Sequence, residues 1–91
     1  MVKHLNIRIV GEVQDINFRS FLKTKAQGLG IAGFVRNDPD GTVYTEAEGE
    51  ESDLSDYLNY CHQGPRFARV EKVDVWEGSI QDFKLFEIKY N

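Results

Sequence analysis

The apolar residues of this chain change their repeat along its length, and this change limits the folds that are open to it. Leu5, Ile7 and Ile9 occupy alternate positions, which predicts a half-buried strand. From about Asn17 the spacing becomes helical, and one apolar face is formed by Phe18, Phe21, Leu22, Ala26 and Leu29. We expect Asn17 to cap this helix at its start, and either Gly28 or Gly30 to end it, with Gly30 the better candidate.

The rest of the sequence repeats this succession of strand and helix. Residues 31–36 and 42–48 predict two strands of a hairpin, joined by the turn sequence NDPDG. Ser52 is expected to cap a second helix, which Gly64-Pro65 would end. Its apolar stripe is Leu54, Tyr57, Leu58 and Cys61. The last two predicted strands are marked by Val70, Val73 and Val75 and by Phe86, Ile88 and Tyr90.

The predicted order is therefore β-α-β-β-α-β with an additional short C-terminal strand. Each helix has one apolar stripe, and both stripes are buried if the two helices pack on one face of a mostly antiparallel sheet. This arrangement is an α+β fold, the ferredoxin-like α/β sandwich. Because that fold hosts many activities, the function has to be argued from particular residues.

Length and charge narrow the classes of function. A chain of 91 residues is expected to form one domain, spanning residues 1–91, and to act as a monomer. The net charge of −4 disfavours general binding to nucleic acid or to an anionic membrane. Cys61 is the only cysteine, and the N-terminal residues lack the apolar run of a signal peptide, so we expect a cytoplasmic protein.

Several side chains are expected to have no chemical role. No cluster of cysteines and histidines indicates a metal site, and no cofactor is predicted. His4 has no acidic or thiol partner at the spacing of a catalytic motif. Glu46 and Glu48 are interpreted as part of a solvated strand end, and Cys61 as a core residue.

Arg19 is expected in the first turn of the first helix, where a cation faces the positive end of the helix dipole. Backbone N–H groups point out of the same end and out of the preceding loop. Together with a guanidinium, such donors can bind a tetrahedral anion such as phosphate. An isolated arginine is more commonly a surface residue whose stem covers apolar area. Position alone therefore leaves both interpretations open.

Two sequence segments resemble the motifs of a known family. IVGEVQDINFR, residues 9–19, resembles the first motif of the acylphosphatase family: glycine, any residue, Val-Gln-Gly-Val, any residue and Phe-Arg. GFVRNDPDGTVYTEAEG, residues 33–49, resembles the second motif, and HQGPRFARV, residues 62–70, resembles the family's helix exit. Two motifs at the right separation are a much stronger signal than a lone glycine-rich match.

The resemblance implies metal-independent hydrolysis of the carboxyl-phosphate bond of small acylphosphates to carboxylate and phosphate, without a phosphoenzyme. Arg19 matches the arginine that holds the phosphoryl group, and Asn37 matches the asparagine that orients the attacking water. The preceding loop matches the backbone cradle for phosphate. The implied substrate-binding residues are thus Val13, Gln14, Asp15, Ile16, Asn17 and Phe18. The implied partners are a small-molecule acylphosphate and inorganic phosphate.

Two positions leave alternatives open. Asn37 begins the NDPDG turn, where asparagine often hydrogen-bonds its own backbone. Asp15 replaces the family's glycine; aspartate tolerates a positive φ, but its charge would repel phosphate unless it points into solvent. The alternative function is therefore a non-catalytic binding or regulatory module on the same scaffold. RNA binding is disfavoured, because the aromatic strand motif of RNA-recognition domains is absent.

Overall fold

A computed structural model describes residues 1–90, and within them it contains five strands and two helices. The strands are β1 (Val2–Glu12), β2 (Ala32–Asn37), β3 (Val43–Glu50), β4 (Arg69–Gly78) and β5 (Phe86–Lys89), and the helices are α1 (Phe18–Leu29) and α2 (Glu51–Gln63). The strand order in the sheet is β4-β1-β3-β2-β5. All pairs are antiparallel except β2 and β5, which run parallel. The predicted ferredoxin-like α+β fold is confirmed.

The core lies between one face of the sheet and the two helices. The alternating residues of β1 are buried there together with the apolar stripes of both helices, as their repeats predict. Its fully buried side chains include Ile7, Ile9, Phe18, Leu22, Val35, Val43, Tyr57 and Cys61. Burial raises the pKa of the Cys61 thiol, which is therefore a core residue as expected and a poor nucleophile.

The helix ends agree with the sequence in part. Gly30 ends α1 with a φ of 73°, as predicted. Asn17 lies directly before α1, but it has left-handed backbone angles and makes no side-chain capping hydrogen bond. The expectation that Ser52 caps α2 is wrong, because the helix already begins at Glu51. The first turn of α2 instead carries Glu51 and Asp53, whose charges favour the positive end of the helix dipole.

A turn joins β2 and β3 as predicted, but it spans residues 38–42, because Asn37 still belongs to β2. The backbone N–H of Asp38 donates to Thr42 O at 2.9 Å, and Gly41 supplies a φ of 90°. Asp40 Oδ1 accepts hydrogen bonds from the backbone N–H of Thr42 at 3.0 Å and from its hydroxyl at 2.6 Å. These hydrogen bonds lower the pKa of Asp40, and the bond from the Thr42 hydroxyl has the largest effect. The side chain of Asp40 is therefore a hydrogen-bond acceptor within the turn.

Two expectations are wrong for residues on the sheet face opposite the helices. Glu48 is not solvated: it is buried beside His4, with 2.7 Å between Glu48 Oε2 and His4 Nδ1. His4 Nε2 lies 3.0 Å from Glu46 Oε1, so His4 does have acidic partners. Glu48 also accepts hydrogen bonds from the backbone N–H groups of Gln81 and Phe83. Burial alone would raise the pKa of Glu48, but its hydrogen bonds with Gln81, His4 and Phe83 outweigh burial, and the pKa is lowered.

Candidate active site

A cavity of about 360 Å³ lies where the start of α1 meets the ends of β2 and β5. Its lining residues are Val13, Asp15, Asn17, Phe18, Arg19, Ser20, Asn37, Ile88 and Tyr90. Because β2 and β5 run parallel, their C-terminal ends reach the same edge of the sheet. The fold thus brings Arg19 and Asn37, which belong to separate sequence motifs, to one cavity.

The backbone at the start of α1 leaves several N–H donors free. Asp15 and Asn17 have φ angles of 61° and 65°, so the loop turns its backbone twice into the left-handed region before the helix begins. The N–H of Phe21 donates to Asn17 O at 2.9 Å, which leaves the N–H groups of the three preceding residues, 18–20, without intrahelical acceptors. The first turn of α1 contains no acidic residue. Free N–H donors beside left-handed residues can bind an anion.

Arg19 lines the same cavity as the backbone at the start of α1. Its Cζ atom is 4.8 Å from the centre of the Tyr90 ring, a distance at which cation and ring attract each other. None of the ion pairs found among residues 1–90 involves Arg19. Contact with a ring leaves the N–H donors at the guanidinium edge available for a bidentate anion. Arg19 is thus both restrained and able to bind.

The six predicted loop residues divide into two groups. Val13, Asp15, Asn17 and Phe18 line the cavity, whereas the side chains of Gln14 and Ile16 do not. Gln14 Nε2 donates to Asp38 O at 2.8 Å and to Thr42 O at 2.9 Å, and Ile16 packs against the core. Gln14 therefore fastens the loop to the β2–β3 turn that follows Asn37. Backbone contacts of Gln14 and Ile16 with phosphate remain a prediction.

Asn37 is the last residue of β2, and its half-buried side chain faces the cavity. It pairs with Val43 across the hairpin, and this pairing sets the position of its backbone relative to β3. Since Asp40 serves as a side-chain acceptor in the turn, the turn does not rely on Asn37 alone. This placement is compatible with the expected role in orienting water.

Asp15 is exposed and lines the same cavity as Arg19. Its φ of 61° shows that the loop keeps a left-handed residue although the family's glycine is replaced, which aspartate allows at modest cost. Repulsion of phosphate by the Asp15 carboxylate remains a prediction. Among residues 1–90, no group of three Asp, Glu, His or Cys side chains could hold a metal ion.

Ser20, Ile88 and Tyr90 line the cavity although the sequence did not single them out as site residues, and of these Tyr90 contacts Arg19. It was expected in the terminal strand, but β5 ends at Lys89 and Tyr90 follows it. No local pattern marks Tyr90 as a site residue, because its contact with Arg19 exists only through the pairing of β5 with β2.

Comparison with known proteins identifies the family. The acylphosphatase family profile matches residues 5–88. The chain belongs to the acylphosphatase family. An acylphosphatase from Nocardioides sp. is 40% identical over 85 residues, covering 93% of this chain and 86% of that protein. The crystal structure of acylphosphatase from Bacillus subtilis superposes with a TM-score of 0.94 at 33% identity, covering 99% of this chain and 100% of the other.

The acylphosphatase fold also matches part of a much larger protein. A crystal structure of full-length HypF in its phosphate- and nucleotide-bound form has a TM-score of 0.92 and 29% identity to this chain. The match covers 98% of this chain but 12% of HypF. Within residues 1–90, neither helix has the length and apolarity needed to cross a bilayer. The named acylphosphatases make hydrolysis of acylphosphates the activity to expect here.

Proposed function

We propose that this chain hydrolyses small acylphosphates without a metal ion, with Arg19 binding the phosphoryl group and Asn37 orienting the attacking water. The observation that carries the proposal is the shared cavity: a guanidinium, a helix N-terminus and a carboxamide all line it. In the reaction, the water oxygen forms a bond to phosphorus while the bond from phosphorus to the carboxyl oxygen breaks. The carboxylate leaves with the electron pair, and a water proton passes to the phosphate or to solvent.

Positioning and charge stabilisation are sufficient for this reaction. A carboxylate is a good leaving group, and phosphoryl transfer places negative charge on three equatorial oxygens. The planar guanidinium of Arg19 can donate to two of these oxygens at once, which lysine cannot do. The free N–H groups of residues 18–20 are fixed by the helix before substrate binds, so they stabilise this charge without reorganising.

Asn37 acts on water by position. Its carboxamide oxygen can accept a hydrogen bond from water, and its amide N–H can donate to a phosphoryl oxygen. A carboxamide is a poor base, so it holds the water in line with the breaking bond and does not deprotonate it.

The test is benzoyl phosphate hydrolysis in the presence of EDTA. We expect Arg19→Ala and Asn37→Ala to lower kcat/KM by roughly a hundredfold or more. Arg19→Lys should restore little activity, since it removes bidentate binding. Arg66→Ala, at an exposed arginine outside the cavity, is the matched control and should have the wild-type rate.

Three results would count against the proposal. An Arg19→Ala variant with wild-type kcat/KM would remove the guanidinium from the mechanism, and loss of activity with EDTA would contradict metal independence. A wild type no faster than buffer, but still binding inorganic phosphate, would favour the non-catalytic module.

A further inference from the structure

A groove of about 580 Å³ adjoins the active-site cavity along α1. Its lining residues are Asn17, Ser20, Phe21, Thr24, Lys25 and Pro65. Asn17 and Ser20 line the cavity as well, so the two spaces share a border. A molecule bound in the cavity can therefore extend into the groove along the side of α1.

The direction of the reaction brings the leaving group toward this border. In an in-line displacement, the attacking and leaving oxygens lie on opposite sides of phosphorus. On the proposed function, Asn37 holds water at the sheet side of the cavity. The acyl group then leaves from the helix side, which Asn17 and Ser20 line. The groove begins at these two residues.

Lys25 supplies a positioned positive charge in the groove. Its Nζ lies 4.7 Å from the ring centre of Tyr60 and 5.5 Å from that of Phe21, and the two rings meet edge to face. Ion pairs among residues 1–90 do not include Lys25, and no acidic residue lines the groove. Side chains of a helix lean toward its N-terminus, so the ammonium leans toward the cavity.

We propose that this groove binds the acyl part of the substrate and that Lys25 recognises a second anionic group at its far end. The preferred substrates are then acylphosphates of short dicarboxylic acids. The free N–H groups of residues 18–20 precede Lys25 by five to seven residues, an axial rise of about 8–10 Å at about 1.5 Å per residue. The contact of Lys25 Nζ with the Phe21 ring, one turn nearer the start of α1, shortens the gap. An extended four-carbon diacid spans a gap of this size. This inference rests on the proposed function of the cavity.

Two phosphonates that cannot be hydrolysed test the proposal by direct binding. In 5-phosphonolevulinate and (2-oxopentyl)phosphonate, a methylene replaces the bridging oxygen of succinyl and butyryl phosphate, and only the former has a distal carboxylate. Titration calorimetry should show tighter binding of 5-phosphonolevulinate to the wild type. Lys25→Met should reduce this preference about two- to fivefold, the strength of an exposed ion pair. Affinity for (2-oxopentyl)phosphonate should stay nearly unchanged.

Lys23→Met is the matched control, since Lys23 lies on the same helix and lines neither space. Methionine is a good helix former, so both variants should keep the wild-type circular dichroism. An unchanged preference in Lys25→Met, or an equal loss in Lys23→Met, would overturn the inference and leave the cavity's function intact. If neither phosphonate nor inorganic phosphate bound, the proposed function would fail together with the inference.

Discussion

Replacing Asp15 by asparagine tests whether its carboxylate opposes phosphate binding. Asp15 lines the cavity that contains Arg19, and its backbone has a φ of 61°. Asparagine has nearly the same shape as aspartate and tolerates the left-handed region equally well. The substitution therefore removes one negative charge and leaves the loop conformation in place.

The expected effect follows from Coulomb's law. At a separation of about 6 Å, the repulsion for each unit of phosphate charge is about 0.7 kcal/mol at a dielectric constant of about 80 and about 1.4 kcal/mol at about 40. A dianion doubles these values, while screening at physiological salt, with a Debye length of about 8 Å, reduces them by roughly half. The remaining repulsion is about 0.7–1.4 kcal/mol, which corresponds to a three- to tenfold change in affinity.

The measurement is the inhibition constant of inorganic phosphate against benzoyl phosphate hydrolysis. In Asp15→Asn it should fall three- to tenfold, and the difference from wild type should shrink as salt is added. Asp56→Asn, which removes an exposed carboxylate from α2, is the control for net charge. Equal inhibition constants in wild type and Asp15→Asn at low salt would refute the repulsion, and so would an equal effect of Asp56→Asn.

Other perturbations test the support around the site and the buried carboxylate. Gln14→Ala removes two hydrogen bonds to the turn after Asn37, so the free energy of unfolding should fall by about 1–3 kcal/mol and kcat/KM should fall as well. Urea titration and the benzoyl phosphate assay measure these effects. Tyr90→Leu removes the ring beneath Arg19 and should raise the inhibition constant of phosphate about two- to fivefold, whereas Tyr90→Phe should match the wild type; equal values in all three would contradict the contact. The pKa of Glu48 is lowered from a usual value of 4.5, so its stabilising contribution is present above that pH and is lost as the pH falls through the folded-state pKa. Unfolding free energies measured from pH 7 to pH 3 should therefore decline more steeply for wild type than for Glu48→Gln. Parallel curves would contradict this contribution of Glu48 to stability.

The elements of the fold could be predicted from the sequence because their signals are local. Alternation within β1 and the apolar faces of α1 and α2 depend on residues only a few positions apart. The end of α1 at Gly30 and the turn at Gly41 follow from backbone angles that glycine adopts without strain. The predicted start of α2 is wrong, because several neighbouring polar residues can begin a helix and packing selects among them.

The candidate site, too, could be predicted from the sequence only in part. The loop and Arg19 belong to one continuous segment, so the sequence by itself indicated an anion site at the start of α1. The contacts of Tyr90 with Arg19, of Gln14 with the β2–β3 turn and of Glu48 with His4 join segments far apart in the chain. These contacts depend on strand order and register, above all on the parallel pairing of β5 with β2. Only the tertiary structure decides them, because no local repeat records which distant segments will be neighbours.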